Sequence, residues 1–385
     1  MAKPPKKTLP DNFDADDVME YGNKEFGALT VQERVDRVDT HRLPCGIFPL
    51  DFATGGGIPR GRTTEIYGPE SAGKTNLLLS YMAVAQKLEP ENRPAFIDQE
   101  HSLTPQWARK MGVNPDKLIY VRPQFAEQAV DLFEKLVQAR GVSIVGLDSI
   151  AAMMTTVEGE KSALDPMAPG GSALVCTKFA RRIPHAMDLA ERAILSGARS
   201  GKLPAAVVIN QIRTKIGVMY GSDEGTPGGQ ALKHLYGMRL RAYGKNVVDA
   251  KVNDTMPIMK AVDIIVKKWK VPILAQSAAY DIAMLPFKNF QVGDVLDWSE
   301  VSTMMKEHEL LVDTIWNEKK QAMVKGGWTM CNLPFSTLKE AQAHYYKDTE
   351  FRILLHQAFI EQAIEDGHEV LFDSAKVVGK AEDED

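Results

Sequence analysis

Apolar runs and amphipathic stretches alternate through the middle of this 385-residue chain. Seven short apolar runs predict strands, at residues 63–67, 94–98, 118–121, 143–148, 205–210, 238–242 and 262–266. Longer stretches predict helices, at residues 74–86, 105–111, 126–139 and 172–196. This alternation predicts an α/β fold with a mainly parallel sheet flanked by helices. Ligands of such sheets bind beyond the carboxyl ends of the strands, so residues that follow each strand are the candidates for a functional site.

The two ends of the chain have different patterns. Residues 1–44 are polar and charge-rich, with too few apolar positions to form a core, so we predict an arm that is flexible or docks on another surface. Residues 286–385 contain more helix-forming and aromatic residues and predict a small C-terminal α+β or helical domain, which ends in the acidic tail 381–385. The predicted core domain is therefore residues 45–285.

The most informative motif is GPESAGKT at residues 68–75, which has the form G-x-x-x-x-G-K-[ST] of a phosphate-binding loop. It lies between a predicted strand and a predicted helix, as this motif requires. Backbone N–H groups of the loop and the helix N-terminus form an anion site. Lys74 is expected to contact the β- and γ-phosphates, and the Thr75 hydroxyl is expected to bind Mg²⁺. The predicted nucleotide-binding residues of the loop are Gly68, Pro69, Glu70, Ser71, Ala72, Gly73, Lys74 and Thr75.

Carboxylates follow two of the other predicted strands. Asp148 ends the strand 143–148 and is the expected second Mg²⁺-associated residue. Asp98 ends the strand 94–98 and Glu100 follows two residues later, and hydrolysis needs a carboxylate near the attacking water. Both acids lie on the same side of an extended strand, so their spacing leaves both as candidates.

A tryptophan follows the same strand end. Thr104 and Pro105 predict the N-cap and first residue of a helix, and Trp107 lies in its first turn. The indole either packs in the core or stacks on a purine base, and the sequence pattern leaves both alternatives open.

Gln211 ends the strand 205–210 with an uncharged side chain that is able to hydrogen-bond a γ-phosphate. It opens the glycine-rich loop 212–229, which contains Arg213 and Lys215. A second long loop, 157–172, contains Met167. Long loops within a compact domain are usually functional. We therefore expect these two loops to couple the nucleotide to a second ligand.

Composition adds three expectations. The net charge of −5 gives no global sign of nucleic-acid binding, so any such contact must come from local loops. No apolar run approaches the ~20 residues of a membrane span, so we expect no membrane partner. The three cysteines, Cys45, Cys176 and Cys331, are far apart in the sequence and indicate a reducing compartment rather than a disulfide framework.

Several segments together resemble the bacterial and phage RecA recombinases. They are GPESAGKT, FIDQEH, LDSIAAM, INQIRTKIGVMYG and the downstream GGQALK, and the resemblance covers roughly residues 45–270. It implies a P-loop NTPase with a RecA-like core, a DNA-dependent ATPase that uses ATP and Mg²⁺, and an N-terminal arm for oligomerisation. It also implies helical filaments of the protein on single-stranded DNA, pairing with homologous double-stranded DNA, and a cytoplasmic location, in the host cell if a phage encodes the chain.

The resemblance also implies individual roles. Glu100, rather than Asp98, matches the residue that positions the hydrolytic water, and Gln211 matches the γ-phosphate sensor. Lys268 and Lys270 resemble a pair that reaches the ATP of the neighbouring subunit, with Lys267 as an alternative. The remaining residues at nucleotide-contacting positions are Asn76, Thr104 and Trp107, where the family more often has a threonine, an acid and a tyrosine. The implied DNA-binding residues are Met167, Arg213, Lys215, Ile216, Gly217, Val218, Met219, Gly228 and Gly229.

Three other functions are compatible with a phosphate-binding loop. A hexameric helicase or motor would use the same core in a closed ring. A phosphotransferase for a small metabolite would turn over nucleotide regardless of DNA. A protein that only coats DNA would not need Glu100 and Asp148.

Overall fold

The computed structural model describes residues 14–26, 34, 42–160, 171–198, 201–214, 224–253, 255–317 and 319–367. The strands are β1 Thr63–Gly68, β2 Arg93–Asp98, β3 Ile119–Val121, β4 Val142–Asp148, β5 Ala205–Gln211, β6 Arg213–Thr214, β7 Glu224–Gly225, β8 Met238–Val247, β9 Met259–Trp269, β10 Ser277–Ala283, β11 Val295–Leu296, β12 Leu311–Asn317, β13 Ala322–Met330 and β14 Leu333–Phe335. The α-helices are α1 Ala15–Phe26, α2 Phe48–Ala53, α3 Lys74–Leu88, α4 Pro105–Lys110, α5 Ala126–Gln138, α6 Thr156–Gly159, α7 Gly171–Leu195, α8 Gly229–Leu235, α9 Trp298–Glu307, α10 Leu338–Lys347 and α11 Thr349–Glu365.

The large sheet has the strand order β11-β10-β9-β8-β1-β5-β4-β2-β3. The six strands from β8 to β3 are parallel to their neighbours, and β9, β10 and β11 are antiparallel. The predicted α/β class and mainly parallel sheet are confirmed, and each of the seven predicted strands is present. Strand β10 was not predicted, because three of its seven residues are alanine and alanine gives a weak strand signal.

Hydrophobic cores lie on both faces of the sheet. The central strands β1 and β4 are buried along their whole length, as expected for parallel strands that are covered on both sides. Helix α3 packs on one face, and α5 and α7 pack on the other. Phe133 of α5 and Phe179 of α7 meet there edge-to-face, with ring centroids 5.1 Å apart. Because the strands from β8 to β3 are parallel, their carboxyl ends lie at the same edge of the sheet.

A three-stranded antiparallel sheet of β12, β13 and β14 forms the C-terminal unit together with α9, α10 and α11. Its core also takes Phe48 of α2, whose ring stacks on His356 of α11 with a centroid distance of 3.7 Å. The large sheet includes Val295–Leu296, beyond the predicted boundary at residue 285. The division into arm, core and C-terminal domain stays a prediction.

The predicted arm is represented by α1 and by residues 42–44, where Leu43 pairs with Ile58. The acidic tail lies outside the described residues. Among the helices that the structure describes, none is both long enough and apolar enough to cross a membrane. The cysteines are free thiols: Cys45 and Cys176 are buried and Cys331 is half-buried.

Candidate nucleotide site

The phosphate loop, residues 68–75, connects β1 directly to α3. A side chain at Gly68 would place its Cβ 2.2 Å from the carbonyl oxygen of Ala242, so the close approach of β8 requires glycine. Gly73 has a φ of +88° and stands at the N-cap of α3. Residues 69–71 are exposed, and the N-terminus of α3 lies directly behind the loop. The loop therefore presents its backbone and a helix N-terminus to a ligand from solvent.

Lys74 lies folded back over the phosphate loop. Its Nζ donates hydrogen bonds to the carbonyl oxygens of Pro69, at 2.7 Å, and of Gly68, at 3.3 Å. Burial lowers the pKa of Lys74, and the negative charges of Asp148, Glu100 and Glu70 act in the opposite direction. A phosphate oxygen would be a stronger acceptor for this ammonium than either carbonyl.

Thr75 and Asp148 form the pair predicted to bind Mg²⁺. The Thr75 hydroxyl donates to Asp148 Oδ2 at 2.6 Å, and Asp148 is 1% exposed. Burial is the main cause that raises the pKa of Asp148 to about 7, while the Thr75 hydrogen bond acts against the shift. A divalent cation would favour the ionised carboxylate, so this pair of oxygen donors fits Mg²⁺. Within the described ranges, no group of three or more His, Cys, Asp and Glu side chains gathers around a metal position.

The two acids that the spacing left equivalent have different surroundings. Asp98 is fully buried, and its carboxylate accepts hydrogen bonds from the backbone N–H of His101 at 2.7 Å and from the Tyr120 hydroxyl at 2.8 Å. It therefore shapes the turn after β2. Glu100 is exposed and accepts from Ser149 Oγ at 2.5 Å and from Gln211 Nε2 at 2.8 Å. The structure thus brings Glu100 and Gln211 together.

Ser149 was not singled out from the sequence. It follows Asp148 at the end of β4, and the peptide bond between them is cis. Its hydroxyl holds the Glu100 carboxylate from the side opposite the solvent. The signal that would have found it is its position directly after a predicted metal-binding acid.

A buried polar network behind Gln211 was also missed. Asn210 donates to Glu65 Oε1 at 2.9 Å and to the carbonyl oxygen of Pro227 at 3.2 Å. Arg239 forms an ion pair with Glu65 and lies over the Tyr67 ring, 4.5 Å from its centroid. Burial raises the pKa of Glu65, and the charge of Arg239 opposes this. A carboxylate inside the apolar strand β1 was the available sequence signal, because a buried charge needs a partner.

The loop after Gln211 starts with a short strand that pairs with a second short strand near its end. Arg213–Thr214 pairs with Glu224–Gly225, and Arg213 is exposed. Gly228 and Gly229 follow with φ angles of +96° and +71° at the start of α8. A Cβ at Gly228 would lie 2.1 Å from Leu232 Cδ1, whereas the space at Gly229 is open. The other predicted DNA-binding residues lie outside the described residues: Met167, Lys215, Ile216, Gly217, Val218 and Met219.

Asn76, Thr104 and Trp107, the remaining residues predicted to contact the nucleotide, form one chain of contacts. Thr104 caps α4 by accepting a hydrogen bond from the Trp107 backbone N–H at 3.2 Å. The Trp107 indole Nε1 donates to Asn76 Oδ1 at 2.9 Å. Trp107 is half-buried against the core, so one part of the ring packs and the other remains accessible.

Lys268 and Lys270 lie together near the end of β9. They donate to the carbonyl oxygens of Lys233 and His234, respectively, in the last turn of α8. Burial is the main cause that lowers the pKa of Lys268, and the positive charges of Lys270 and Arg239 lower it further. Lys267 instead lines a cavity of about 330 Å³, whose walls also include Tyr67, Ile212, Gly225, Thr226, Lys233, Arg239, Arg241 and Tyr243.

The family model of the RecA N-terminal domain matches residues 15–285. The chain is 42% identical over 217 residues to Protein RecA of Aquifex pyrophilus, covering 56% of this chain and 58% of that relative. It is 43% identical over 220 residues to Protein RecA of Deinococcus radiodurans, covering 56% of each chain.

A longer match extends the comparison. The chain is 37% identical over 279 residues to Protein RecA of Acholeplasma laidlawii, covering 72% of this chain and 78% of that relative. The first two matches span less than two thirds of those relatives. The family model, which includes the phosphate loop and the strand ends described above, and the longer match each cover most of this chain. The chain belongs to the RecA family.

Proposed function

We propose that this protein is an ATP-dependent DNA recombinase. It forms helical filaments on single-stranded DNA and pairs that strand with homologous double-stranded DNA. Its enzymatic activity is DNA-dependent hydrolysis of ATP to ADP and phosphate, and it acts in the cytoplasm, in the host cell if a phage encodes it. Family membership and the names of the relatives support this proposal.

The observation that carries the proposal is the hydrogen bond between Gln211 Nε2 and Glu100, at 2.8 Å. Glu100 belongs to the nucleotide side of the site, and Gln211 ends β5 just before the hairpin that begins at Arg213. A γ-phosphate that moves the Gln211 side chain would therefore also move the start of the loop at Arg213. A phosphotransferase for a small metabolite would not need a contact between its nucleotide site and this loop.

On the nucleotide side, each residue has a distinct task. The phosphate loop and Lys74 bind the phosphates, and Thr75 with Asp148 would hold Mg²⁺, which neutralises phosphate charge when bound. Glu100 orients the attacking water and accepts its proton, and Ser149 keeps the carboxylate in place. Gln211 leaves Glu100 to contact the γ-phosphate.

On the DNA side, contacts to the phosphate backbone provide affinity without sequence preference. Arg213, Lys215 and the amides near Gly228 supply these contacts in the proposal. Apolar side chains of the loops, Met167 and Ile216 among them, separate bases and stretch the strand. In the filament, Lys268 and Lys270 release the carbonyl oxygens of α8 and contact the ATP of the neighbouring subunit instead.

The deciding experiment measures the ATPase rate with and without single-stranded DNA, together with electron microscopy of the same samples. We expect hydrolysis to be stimulated by DNA and open helical filaments to form with ATP. Closed rings would favour the helicase, a rate indifferent to DNA would favour the phosphotransferase, and coated DNA without hydrolysis would favour a DNA-coating protein.

The DNA contact of Arg213 is tested by the salt dependence of binding. Arg213→Ala should weaken binding similarly across DNA sequences and reduce the slope of log affinity against log salt by about 1. Arg109→Ala, which removes an exposed arginine of α4, serves as the matched control. An unchanged slope in the Arg213 variant would exclude a direct phosphate contact.

A further inference from the structure

Lys260 is a buried lysine next to the phosphate loop that none of the sequence motifs contains. It lies on β9 and is 9% exposed, and its Nζ donates to the carbonyl oxygen of Ser71 at 2.7 Å. Side chains alternate along a strand, so Lys260 shares the face of Val262 and Ile264, which pack with α3 in one core. An ammonium group thus reaches the loop from the side of the sheet.

The phosphate loop rests directly on β8 and β9 at this point. A Cβ at Gly244 would lie 2.7 Å from Ala72 Cα and 3.0 Å from the Ser71 carbonyl oxygen. A Cβ at Gly73 would lie 3.2 Å from Val262 Cγ2. The backbone of the loop therefore has little freedom to shift toward the sheet, and its orientation depends on what contacts it from below.

The hydrogen bond from Lys260 acts on one particular peptide group. In a trans peptide the carbonyl and the N–H point in opposite directions, so holding the Ser71 carbonyl directs the Ala72 N–H away from Lys260. Ser71 has a φ of +59°, in the left-handed region that turns successive N–H groups toward a common centre. The Ala72 N–H is one of the donors that this motif offers to phosphate.

Charge provides a second reason to connect Lys260 with an anion. Burial lowers the pKa of Lys260, and the charge of Lys260 contributes to lowering the pKa of Lys74. Burying an ammonium is costly, and a methionine of similar length would fill the same space without that cost. A polyphosphate bound in the loop would offset the repulsion between the two ammonium groups.

We propose that Lys260 is a positioning residue for nucleotide binding, which orients the Ser71–Ala72 peptide and adds positive charge beneath the phosphate loop. The ligand class is a nucleoside di- or triphosphate, so the inference rests on the proposed ATP-binding function. Lys260 acts through the loop rather than on the reacting atoms, and its effect belongs to binding and not to the hydrolytic step.

The test compares Lys260→Met with Lys245→Met. Lys245 is exposed on β8, pairs with Ala261 and serves as the matched control. Titration with a fluorescent ATP analogue and Mg²⁺, without DNA, should give a Kd about tenfold higher for Lys260→Met, the loss expected for a hydrogen bond to a charged donor. The Kd of Lys245→Met should equal that of the unmodified protein. Amide hydrogen exchange within residues 68–75 of the nucleotide-free protein should be faster in Lys260→Met only.

The outcomes separate the inference from the proposed function. Equal Kd values for Lys260→Met and the unmodified protein overturn the role of Lys260 alone. Failure of the unmodified protein to bind the analogue overturns nucleotide binding itself. If Lys260→Met does not fold, Lys260→Gln decides: weaker binding at an unchanged melting temperature supports the role, and unchanged binding overturns it. In ATPase assays, the expected effect is a raised KM with kcat unchanged.

Discussion

Asp98 and Glu100 stand two positions apart in the sequence, yet their hydrogen-bond partners differ in kind. Asp98 accepts from backbone N–H groups and Tyr120, which are structural donors. Glu100 accepts from Ser149 and Gln211 and is open to solvent. A buried acceptor with several donors maintains a turn, whereas an exposed carboxylate next to the phosphate loop is available for chemistry.

This difference leads to a prediction for two matched variants. Glu100→Gln should retain nucleotide binding and lower the hydrolysis rate by about 10²–10⁴-fold, because the amide cannot accept the proton of water. Asp98→Asn should instead lower the free energy of unfolding by about 2–3 kcal/mol, because donors to a charged acceptor lose their partner. ATPase assays and urea denaturation measure the two effects. Normal turnover by Glu100→Gln would contradict the assignment.

Asp148 gives a prediction about pH. Its pKa in the folded protein, about 7, lies above the usual 3.8 because of burial. A carboxyl of this kind stabilises the folded state while protonated, so its contribution is present below about pH 4 and is lost as the pH rises through about 7. In the nucleotide-free protein, the melting temperature should therefore fall less between about pH 5 and pH 8 in Asp148→Asn than in the unmodified protein. Asp51 also has a pKa of about 7, but it is present in both proteins, so its effect on the melting temperature is the same in each. Parallel curves for the two proteins would show that Asp148 does not titrate in this range.

Among the secondary-structure elements, the short helix α8 connects the glycine-bearing loop to the sheet. Its N-cap is Gly228, with a left-handed backbone, and its last carbonyls accept hydrogen bonds from Lys268 and Lys270. Lysines at the C-terminus of a helix interact favourably with the helix dipole. Both ends of α8 are therefore held by groups that the family resemblance connects with DNA or with ATP.

The two glycines at the start of α8 predict different sensitivities. Gly228→Ala brings Cβ to 2.1 Å from Leu232 Cδ1 as well as straining the backbone, so it should destabilise the protein more than Gly229→Ala, which meets open space. We expect a loss of about 1–2 kcal/mol for Gly229→Ala, the cost of a left-handed alanine, and about 1–3 kcal/mol more for Gly228→Ala. Urea denaturation measures both, and equal losses would contradict the structural role of Gly228.

At the scale of the whole molecule, an aromatic side chain of α2 packs into the C-terminal unit. Phe48 lies on α2, before the phosphate loop in sequence, and is buried among residues of the C-terminal core. It stacks on His356 and lies 5.9 Å, between ring centroids, from Phe359. Burial lowers the pKa of His356 to about 3, so the imidazole is neutral and packs as an aromatic ring.

This contact predicts a strong effect of truncation. Phe48→Ala should lower the free energy of unfolding by about 3–5 kcal/mol, because it removes a fully packed aromatic ring. Phe52→Ala is the matched control on the same helix, since Phe52 is only half-buried and should cost less. Chemical denaturation measures both. A loss for Phe48→Ala no larger than that for Phe52→Ala would contradict this packing role of Phe48.

The sequence identified those site residues that a local pattern marks, and it missed those whose role depends on a partner distant in the sequence. The phosphate loop, Asp148 and Gln211 were found because each directly follows an apolar strand, and strands of a parallel sheet end at the same edge. Glu65, Ser149 and Lys260 were missed because their partners are distant in sequence, up to 189 residues away for Lys260 and Ser71. Strand β10 was missed because its small residues become a strand only beside β9.

The sequence by itself determined the alternating α/β pattern, the phosphate loop and the family to which the chain belongs, since contiguous residues encode these features through local sterics and periodicity. The tertiary structure decided which acid faces Gln211, which lysine lies beneath the loop and which aromatic ring enters the C-terminal core. These outcomes depend on strand order and on which side of the sheet each element crosses. They are decided only when segments that are distant in the sequence pack together. Close packing and the need to hydrogen-bond buried polar groups then favour one arrangement of these side chains.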